Sequence, residues 1–407
     1  MNPLAAHYSR FRVAERSLLT GHSHQAWPDT AFEAQQQAWL DAAELVDDKW
    51  ERAEARASDV REGFARLLGD RREHIALGQN THELVTRWLS ALPLRERRRV
   101  ITTDGEFHSI RRQVDRLAED DLLEIVRIPA RPADTLAPRL AAAIDDRTAC
   151  VMVSSVLYET AEIVPGLNLV AAACGTHGTA LLVDAYHHLN VVPFDIGALG
   201  LADAFVTGGG YKYCQLGEGN AFLRVPPGCR MRPVLTGWFA EFAALETAAS
   251  RGAVDGDLQG SAGSVPYGPG ALAFAGATYD PTAHYRAAAV FQFHAQQGLT
   301  ADRLREISRR QVSLLKSGVE ALDLHESVAH IEPVPDERRG GFLAIRSPHA
   351  AELSRALRAH GVLTDARGQV LRLGPAPYLA DDQLRRAIDA LGAVSRNVKP
   401  DRRGGLQ

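Results

Sequence analysis

Lysine is scarce in this sequence, and one lysine has surroundings suited to chemistry. Of the 46 basic residues, four are lysine and 42 are arginine. Lys212 follows a predicted strand and three glycines in the segment GGGYKYCQLGEGN. Glycines let the backbone approach a ligand closely, and open α/β sheets bind ligands beyond the carboxyl ends of their strands. Lys212 is therefore either a binding-site amine or a lysine on a solvated turn. The other lysines lie in polar or terminal segments, at Lys49, Lys316 and Lys399.

An acidic residue precedes this lysine at the end of another predicted strand. The apolar run ALLVD ends in Asp184, and a carboxylate in that position is costly without a cationic partner. Asp184 either caps a helix, pairs with an arginine or serves a cofactor. Pyridoxal phosphate enzymes need a lysine that forms a Schiff base and an acid that keeps the pyridine nitrogen protonated. The pair of Lys212 and Asp184 is a more specific signal than either residue alone.

Composition and charge exclude several other classes of protein. The 407 residues are 45% hydrophobic and 24% charged, as in soluble globular proteins of about two to three domains. A net charge of −4 provides no basic face for nucleic acid or anionic lipid. Neither GxGxxG nor GxxxxGK occurs. His22 and His24 have no carboxylate nearby in the sequence, so we predict no metal site.

The cysteines and the apolar stretches favour a cytoplasmic protein. The four cysteines form no CxxC pair, which is typical of a reducing compartment. The N-terminal residues carry early charges and lack the apolar core of a secretory signal. The uncharged stretch 164–183 is interrupted by Pro165-Gly166 and by residues 174–178. It therefore predicts a short helix, a turn and a strand, and no membrane span.

The elements that must position Lys212 and Asp184 alternate between strands and helices. A long amphipathic helix is predicted from Asp29 or Thr30 to about Leu68. Beyond Ile75 the pattern predicts an α/β fold with a parallel or mixed sheet. The predicted strands are 100–103, 123–128, 149–154, 180–184 and 204–207, and the helices between them are 109–117, 138–144 and 167–174.

The sequence divides into four predicted regions. These are an N-terminal segment with the long helix (1–70), a large cofactor-binding domain (71–290), a linking helix with a small C-terminal α+β domain (291–397) and a disordered tail (398–407). Residues 236–281 are rich in Gly, Ala and Ser, with few charges in their second half. A stretch of that length without periodicity predicts a lid or binding loop.

The order of motifs over residues 18–384 resembles the fold-type I pyridoxal phosphate enzymes of the class V aminotransferase group, most closely the kynureninases. The motifs that carry the resemblance are QNT (79–81), EFHS (106–109), SSVLYET (154–160), VDAYHH (183–188), GGGYKY (208–213), GWF (237–239), GATYDP (276–281) and QVLRLGPAPY (369–378). The resemblance implies a large domain with a mainly parallel sheet between helices and a small C-terminal α+β domain. It also implies a homodimer with shared active sites.

The same resemblance implies which residues hold pyridoxal 5'-phosphate. Lys212 matches the Schiff-base lysine, Asp184 the acid at the pyridine nitrogen and Phe107 the aromatic that stacks on the ring, although core packing is the ordinary role of a lone Phe after a strand. The other implied cofactor contacts are Asn80 and Thr81 of the phosphate loop, His187 near the ring hydroxyl, Tyr211 at the phosphate, Trp238, and Thr278 at the phosphate of the neighbouring subunit.

The implied substrate is an L-amino acid. Ser23, Trp238 and Arg372 match substrate-binding positions, and Arg372 would clamp the α-carboxylate. Lys212 and Tyr211 would be catalytic in a hydrolytic cleavage of a Cβ–Cγ bond that releases alanine. Carbon–sulfur lysis, transamination of a specialised amino acid and non-catalytic cofactor binding remain open. A persulfide-forming desulfurase is disfavoured, because it needs a catalytic cysteine later in the chain than Cys229, which is the last one.

Three segments depart from the kynureninase pattern. The chain has Gly21-His22-Ser23-His24 where kynureninases have Gly-Asn-Ser, and His108-Ser109-Ile110 where they have Pro-Thr-Asp. It has Pro377-Tyr378-Leu379-Ala380 where they have Pro-Leu-Tyr-Asn. These segments are expected to shape the substrate pocket, so the resemblance supports the cofactor better than it supports the substrate.

Overall fold

The structure is a computed structural model, and it describes residues 2–242, 245, 265–396 and 398. The helices are α1 (Asp29–Leu45), α2 (Lys49–Leu68), α3 (Thr81–Leu89), α4 (His108–Glu119), α5 (Leu136–Ala143), α6 (Leu167–His177), α7 (Thr282–Gln296), α8 (Ala301–Ala321), α9 (Ala350–Ala359) and α10 (Asp381–Ser395). The strands are β1 (Ser17–Leu18), β2 (Ile75–Gly78), β3 (Arg99–Thr103), β4 (Glu124–Ile128), β5 (Thr148–Ser154), β6 (Ala180–Asp184), β7 (Phe205–Gly209), β8 (Ala221–Arg224), β9 (His330–Ile331), β10 (Leu343–Arg346), β11 (Val362–Leu363), β12 (Asp365–Arg367) and β13 (Val370–Leu373).

A seven-stranded sheet lies at the centre of the larger part, in the order β2-β8-β7-β6-β5-β3-β4. Strands β3 to β7 pair in parallel, whereas β8 is antiparallel to both of its neighbours. Parallel neighbours require crossover connections, and α4, α5 and α6 lie in these connections. The predicted α/β fold with a mainly parallel sheet is confirmed.

Both faces of this sheet are buried. Successive side chains of a strand point to opposite faces, so Val151 and Val153 enter one hydrophobic core while Cys150 and Met152 enter the other. Helix α2 packs on the first face through Phe64, whereas helix α3 packs on the second. Burial on both faces explains why these strands are continuous apolar runs in the sequence.

The carboxyl ends of the central strands meet at one edge. Ser154 of β5 pairs in register with Asp184 of β6, and Asp184 pairs with Thr207 of β7. The turn that follows β7 carries Lys212. Because the strands are parallel, the acid and the lysine are brought to the same edge of the sheet.

The smaller part is built on an antiparallel sheet in the order β12-β13-β10-β9. Its core includes residues from the start of the chain, among them Tyr8 and Leu19. Strand β1 also pairs in parallel with β11. The N-terminal residues therefore pack with the C-terminal part of the chain, and the proposed domain boundaries at 70 and 290 stay a prediction.

Several element predictions need correction. The predicted long helix is two helices, because Val46 has a φ of 51°, which cannot continue a helix, and residues 46–48 separate α1 from α2. Strand β7 extends through Gly209, so two of the three glycines lie within it. The prediction also missed β8, which has only four residues.

Two sequence predictions concern residues that are wholly or partly undescribed. Residues 243–244 and 246–264 of the predicted lid, and all of the predicted disordered tail except Val398, lie outside the described residues. Across the described ranges, no helix combines the length and apolar character needed to cross a membrane.

Candidate active site

The side chain of Lys212 is buried in a largely aromatic environment. Its Nζ lies 2.9 Å from Nε2 of His187. The ring centroids around it are those of Tyr186 at 4.6 Å, Phe107 at 5.0 Å and Tyr211 at 5.8 Å. Burial lowers the pKa of Lys212 to about 7. A large fraction of the amine is therefore uncharged near neutral pH, which is the nucleophilic form of lysine.

Asp184 lies at the end of β6 and lines a cavity together with Lys212. Its Oδ1 accepts a hydrogen bond from the Tyr186 N–H at 2.8 Å. Burial raises the pKa of Asp184, while the positive charge of Lys212 lowers it. Burial also lowers the pKa of His187 well below its ordinary value, so this imidazole is neutral. A carboxylate buried in this way is ionised only beside a cationic group.

Phe107 is placed by the buried carboxyl group that precedes it. Oε1 of Glu106 accepts hydrogen bonds from Thr103 Oγ1 at 2.6 Å and from the Ser154 N–H at 3.1 Å, and Oε2 accepts one from Ser154 Oγ at 2.6 Å. Thr103 ends β3 and Ser154 ends β5, so Glu106 links two strand ends. Burial raises the pKa of Glu106 to about 7. This network holds the backbone that presents Phe107 to Lys212.

The N-terminus of α3 lies at the same cavity. Asn80 caps this helix, and its side chain accepts a hydrogen bond from the Glu83 N–H at 3.0 Å. The Thr81 hydroxyl is buried and has no partner among the described residues. A helix N-terminus with free donors favours an anion such as a phosphate. The cavity has a volume of about 250 Å³, and its lining includes Asn80, Thr81, Phe107, Asp184, His187, Tyr211 and Lys212.

Arg372 lies in β13, beside this cavity but not in its lining. The side chain is buried, and its charge contributes to lowering the pKa of Lys212. Its Nη1 donates to the Tyr158 carbonyl at 2.7 Å. Its Nη2 forms an ion pair with Asp365, which lies opposite Arg372 in the β12–β13 pair. Arg367 also approaches Asp365, with its Nε at 3.6 Å.

Besides Arg372, three other predicted site residues, Ser23, Trp238 and Thr278, lie outside this cavity. Trp238 is 51% exposed, and its Nε1 donates to the Oγ1 of Thr278 at 3.3 Å on the surface. Ser23 is half-buried, and its Oγ lies 3.1 Å from Nδ1 of His24. A larger open groove of about 890 Å³, between the N-terminal residues, α8 and α10, contains none of the predicted site residues.

Comparison with known families identifies the family of this chain. The family model for aminotransferase class V matches residues 38–250, which include Lys212 and Asp184. The chain belongs to the aminotransferase class V family. The model for the kynureninase C-terminal domain matches residues 304–391 of this class V enzyme, which include Arg372.

Relatives of this class V enzyme have different activities. It is 27% identical over 368 residues to isopenicillin N epimerase from Streptomyces clavuligerus, which covers 87% of this chain and 88% of the relative. It is also 27% identical over 363 residues to kynureninase from Deinococcus radiodurans, covering 88% and 82%. The structure of a C-DES mutant with glycine covalently linked to its PLP cofactor superposes with a TM-score of 0.81 at 17% identity, covering 96% and 99%. The fold is therefore that of the fold-type I pyridoxal phosphate enzymes.

The residues of the cavity fit pyridoxal phosphate, the cofactor of this class V enzyme. The cavity offers a buried amine at Lys212 and a carboxylate at Asp184. The unpaired Thr81 hydroxyl at the N-terminus of α3 is a donor for a phosphate. The face of Phe107 lies over the amine.

The structure also shows site residues that the sequence analysis missed. Tyr186 lies two positions after Asp184 and contacts Lys212, although the motif VDAYHH contains it. Asp365 pairs with Arg372 across a hairpin. Two strand-forming segments joined by Gly368 could have indicated that pairing. The structural part of Glu106 gave no signal, because its partner Ser154 ends a strand that lies 48 residues later in the chain.

Proposed function

We propose that this class V enzyme is a kynureninase-like hydrolase that cleaves the Cβ–Cγ bond of an L-amino acid with a γ-carbonyl group and releases alanine. The observation that carries the proposal is the position of Arg372. This residue lies in the region that matches the kynureninase C-terminal domain. It is buried close enough to Lys212, at the edge of the seven-stranded sheet, for its charge to contribute to lowering the pKa of that amine. An amine and a carboxylate-binding guanidinium in one site suit an α-amino acid.

Each residue has a defined part in this proposal. Lys212 would hold the cofactor and then take the α-proton of the substrate, while Asp184 would face the pyridine nitrogen and Phe107 the ring. Asn80, Thr81 and the α3 N-terminus would hold the phosphate, and His187 would lie near the ring hydroxyl. Bound pyridoxal phosphate supplies an electron sink for the α-carbon.

Tyr211 is suited to proton transfer at the γ-carbonyl. It lines the cavity beside Lys212. Burial raises the pKa of Tyr211, so the phenol is protonated near neutral pH and can donate to the carbonyl oxygen or orient the attacking water. Water then supplies the oxygen of the acid product, and alanine leaves after its β-carbon is protonated.

The four cysteine thiols are poorly suited to act as nucleophiles. The thiols of Cys150, Cys174 and Cys214 are buried, and burial raises the pKa of each. Burial also raises the pKa of Cys229, the last cysteine in the chain. A thiol with a raised pKa is a poor nucleophile at neutral pH, which argues against persulfide formation.

The test is product analysis with purified protein. We expect L-kynurenine or 3-hydroxykynurenine to give alanine and the corresponding aromatic acid in equal amounts, and Lys212→Ala to give neither. Pyruvate would indicate β-elimination, the keto acid that corresponds to the substrate would indicate transamination, and the D-amino acid would indicate epimerisation. Any of these products without alanine would contradict the proposal. A yellow protein that processes no amino acid would indicate cofactor binding alone.

A further inference from the structure

The loop that contains His22 spans the distance between Arg372 and Lys212. At one end, Gly21 N–H donates to the carbonyl of Gly374, two residues beyond Arg372, at 2.8 Å. At the other end, Gln25 N–H donates to the carbonyl of Tyr211, the residue before Lys212, at 3.3 Å. The segment that departs from the kynureninase pattern is therefore fixed beside both parts of the site.

The side chain of His22 is fully buried without hydrogen-bond partners. Its relative exposure is 0%, and neither ring nitrogen has a partner among residues 2–242, 245, 265–396 and 398. The Nε of Arg372 is buried without a partner in the same ranges. Buried polar atoms are almost always paired. Acceptor oxygens of a ligand could satisfy the unpaired nitrogens of these two neighbouring side chains.

His22 and Arg372 converge on a single carboxylate oxygen. Nη2 of Arg372 forms an ion pair with Oδ2 of Asp365. Nε2 of His22 lies 3.7 Å from the same oxygen, too far for a hydrogen bond. Asp365 thus balances the charge of Arg372, while Nε of Arg372 and both ring nitrogens of His22 have no hydrogen-bond partner among the described residues.

Phe342 and His187 link His22 to the lysine. Its ring centroid is 4.7 Å from that of Phe342, which in turn is 6.4 Å from that of His187. His187 contacts Lys212. Gly374 makes room for the imidazole, because a Cβ at this position would overlap Nδ1 of His22.

We propose that His22 is a further substrate-binding residue, which adds a second donor to the α-carboxylate already assigned to Arg372, with Asp365 orienting the guanidinium. This inference rests on the proposed function only in requiring an α-amino acid at Lys212. Burial lowers the pKa of His22 to about 3, and the charge of Arg372 acts in the same direction. The neutral imidazole has one N–H donor, which adds a hydrogen bond to the carboxylate without adding charge beside the amine of Lys212.

The test compares two small amines that differ in the carboxylate. L-Alanine and ethylamine are titrated into the cofactor-loaded enzyme, and binding is followed by the change in cofactor absorption. The variants are His22→Leu, which removes the donor, and His22→Asn, which keeps an N–H. We expect His22→Leu to weaken L-alanine binding about tenfold or more and to leave ethylamine binding unchanged, and His22→Asn to restore part of the loss.

The controls separate recognition from folding. Cofactor content and the thermal unfolding midpoint are measured for each variant, and His22→Met, which also lacks a donor, replaces His22→Leu if the latter does not fold. An equal loss for both amines, or no loss for either, would overturn the proposal and assign His22 to packing or to a buried water. Failure of the kynureninase-like reaction leaves this comparison intact, because the binding of alanine through its α-amine requires no cleavage of a Cβ–Cγ bond.

Discussion

At the scale of single residues, the chemistry of this enzyme depends on removing water from one amine. Lys212 is buried among three aromatic rings and a neutral His187. An ammonium group loses its hydration there, so burial lowers its pKa to about 7. The carboxylate of Asp184 opposes this effect, and the balance leaves an amine that is reactive at neutral pH.

The rate at which the cofactor-free enzyme takes up pyridoxal phosphate should follow this pKa. Below pH 7 the Lys212 amine is protonated and cannot attack an aldehyde, so uptake is slow; above pH 7 the rate should reach a plateau. The measurement is the growth of the absorption band at about 420 nm that marks the lysine-bound cofactor. Free Nα-acetyl-lysine, with a pKa of about 10.4, is the control. A midpoint near that of the free amine would contradict the assignment.

At the scale of elements, a glycine in β7 makes room for a ring of the site. Gly209 pairs with Ala221 of β8, and a Cβ at Gly209 would overlap the hydroxyl of Tyr186. The ring of Tyr186 contacts Lys212. The identity of one strand residue therefore controls the position of a side chain in the cavity.

We expect Gly209→Ala to lower the free energy of unfolding by about 1–3 kcal/mol, the usual cost of overpacking, and to weaken cofactor binding because Tyr186 is displaced. Denaturant unfolding and cofactor titration measure the two effects. Gly175→Ala in α6 is the matched control, since a Cβ there has no atom within 4 Å. Equal behaviour of both variants would show that Tyr186 moves without cost.

At the scale of the whole molecule, the predicted phosphate contact Thr278 lies on an exposed aromatic surface. Trp238 is 51% exposed and Phe242 is 37% exposed, and the Trp238 indole bonds to Thr278. Within one chain neither Trp238 nor Thr278 reaches the cavity lining. That Thr278 serves the cavity of a second copy in a homodimer stays a prediction.

Subunit mixing tests this expectation. Lys212→Ala and Thr278→Asp should each lose exchange of the α-hydrogen of L-alanine, the second because a carboxylate repels the phosphate. Unfolding and refolding the two variants together should restore about a quarter of the wild-type exchange rate, because half of the dimers then hold one intact site. NMR in deuterium oxide measures the rate. A mixture that stays inactive would show that each chain completes its own site.

The sequence alone determined the fold class and the central part of the site. Alternating apolar strands and helices predicted a mainly parallel sheet. Strands that are buried on both faces appear as continuous apolar runs, and the crossover connections between them appear as helices. The same pattern placed Asp184 at a strand end and Lys212 after the next strand, and parallel strands bring such positions together. Because lysine is scarce, the sequence offered only four candidate side-chain amines.

Only the tertiary structure decided how distant segments complete the site. Glu106 joins the ends of β3 and β5, and His22 lies between Arg372 and Lys212, although these residues are far apart in the sequence. The division of the predicted long helix likewise depended on one positive φ at Val46. Local periodicity carries no information on such contacts, because they arise from packing between elements whose relative positions no single segment encodes.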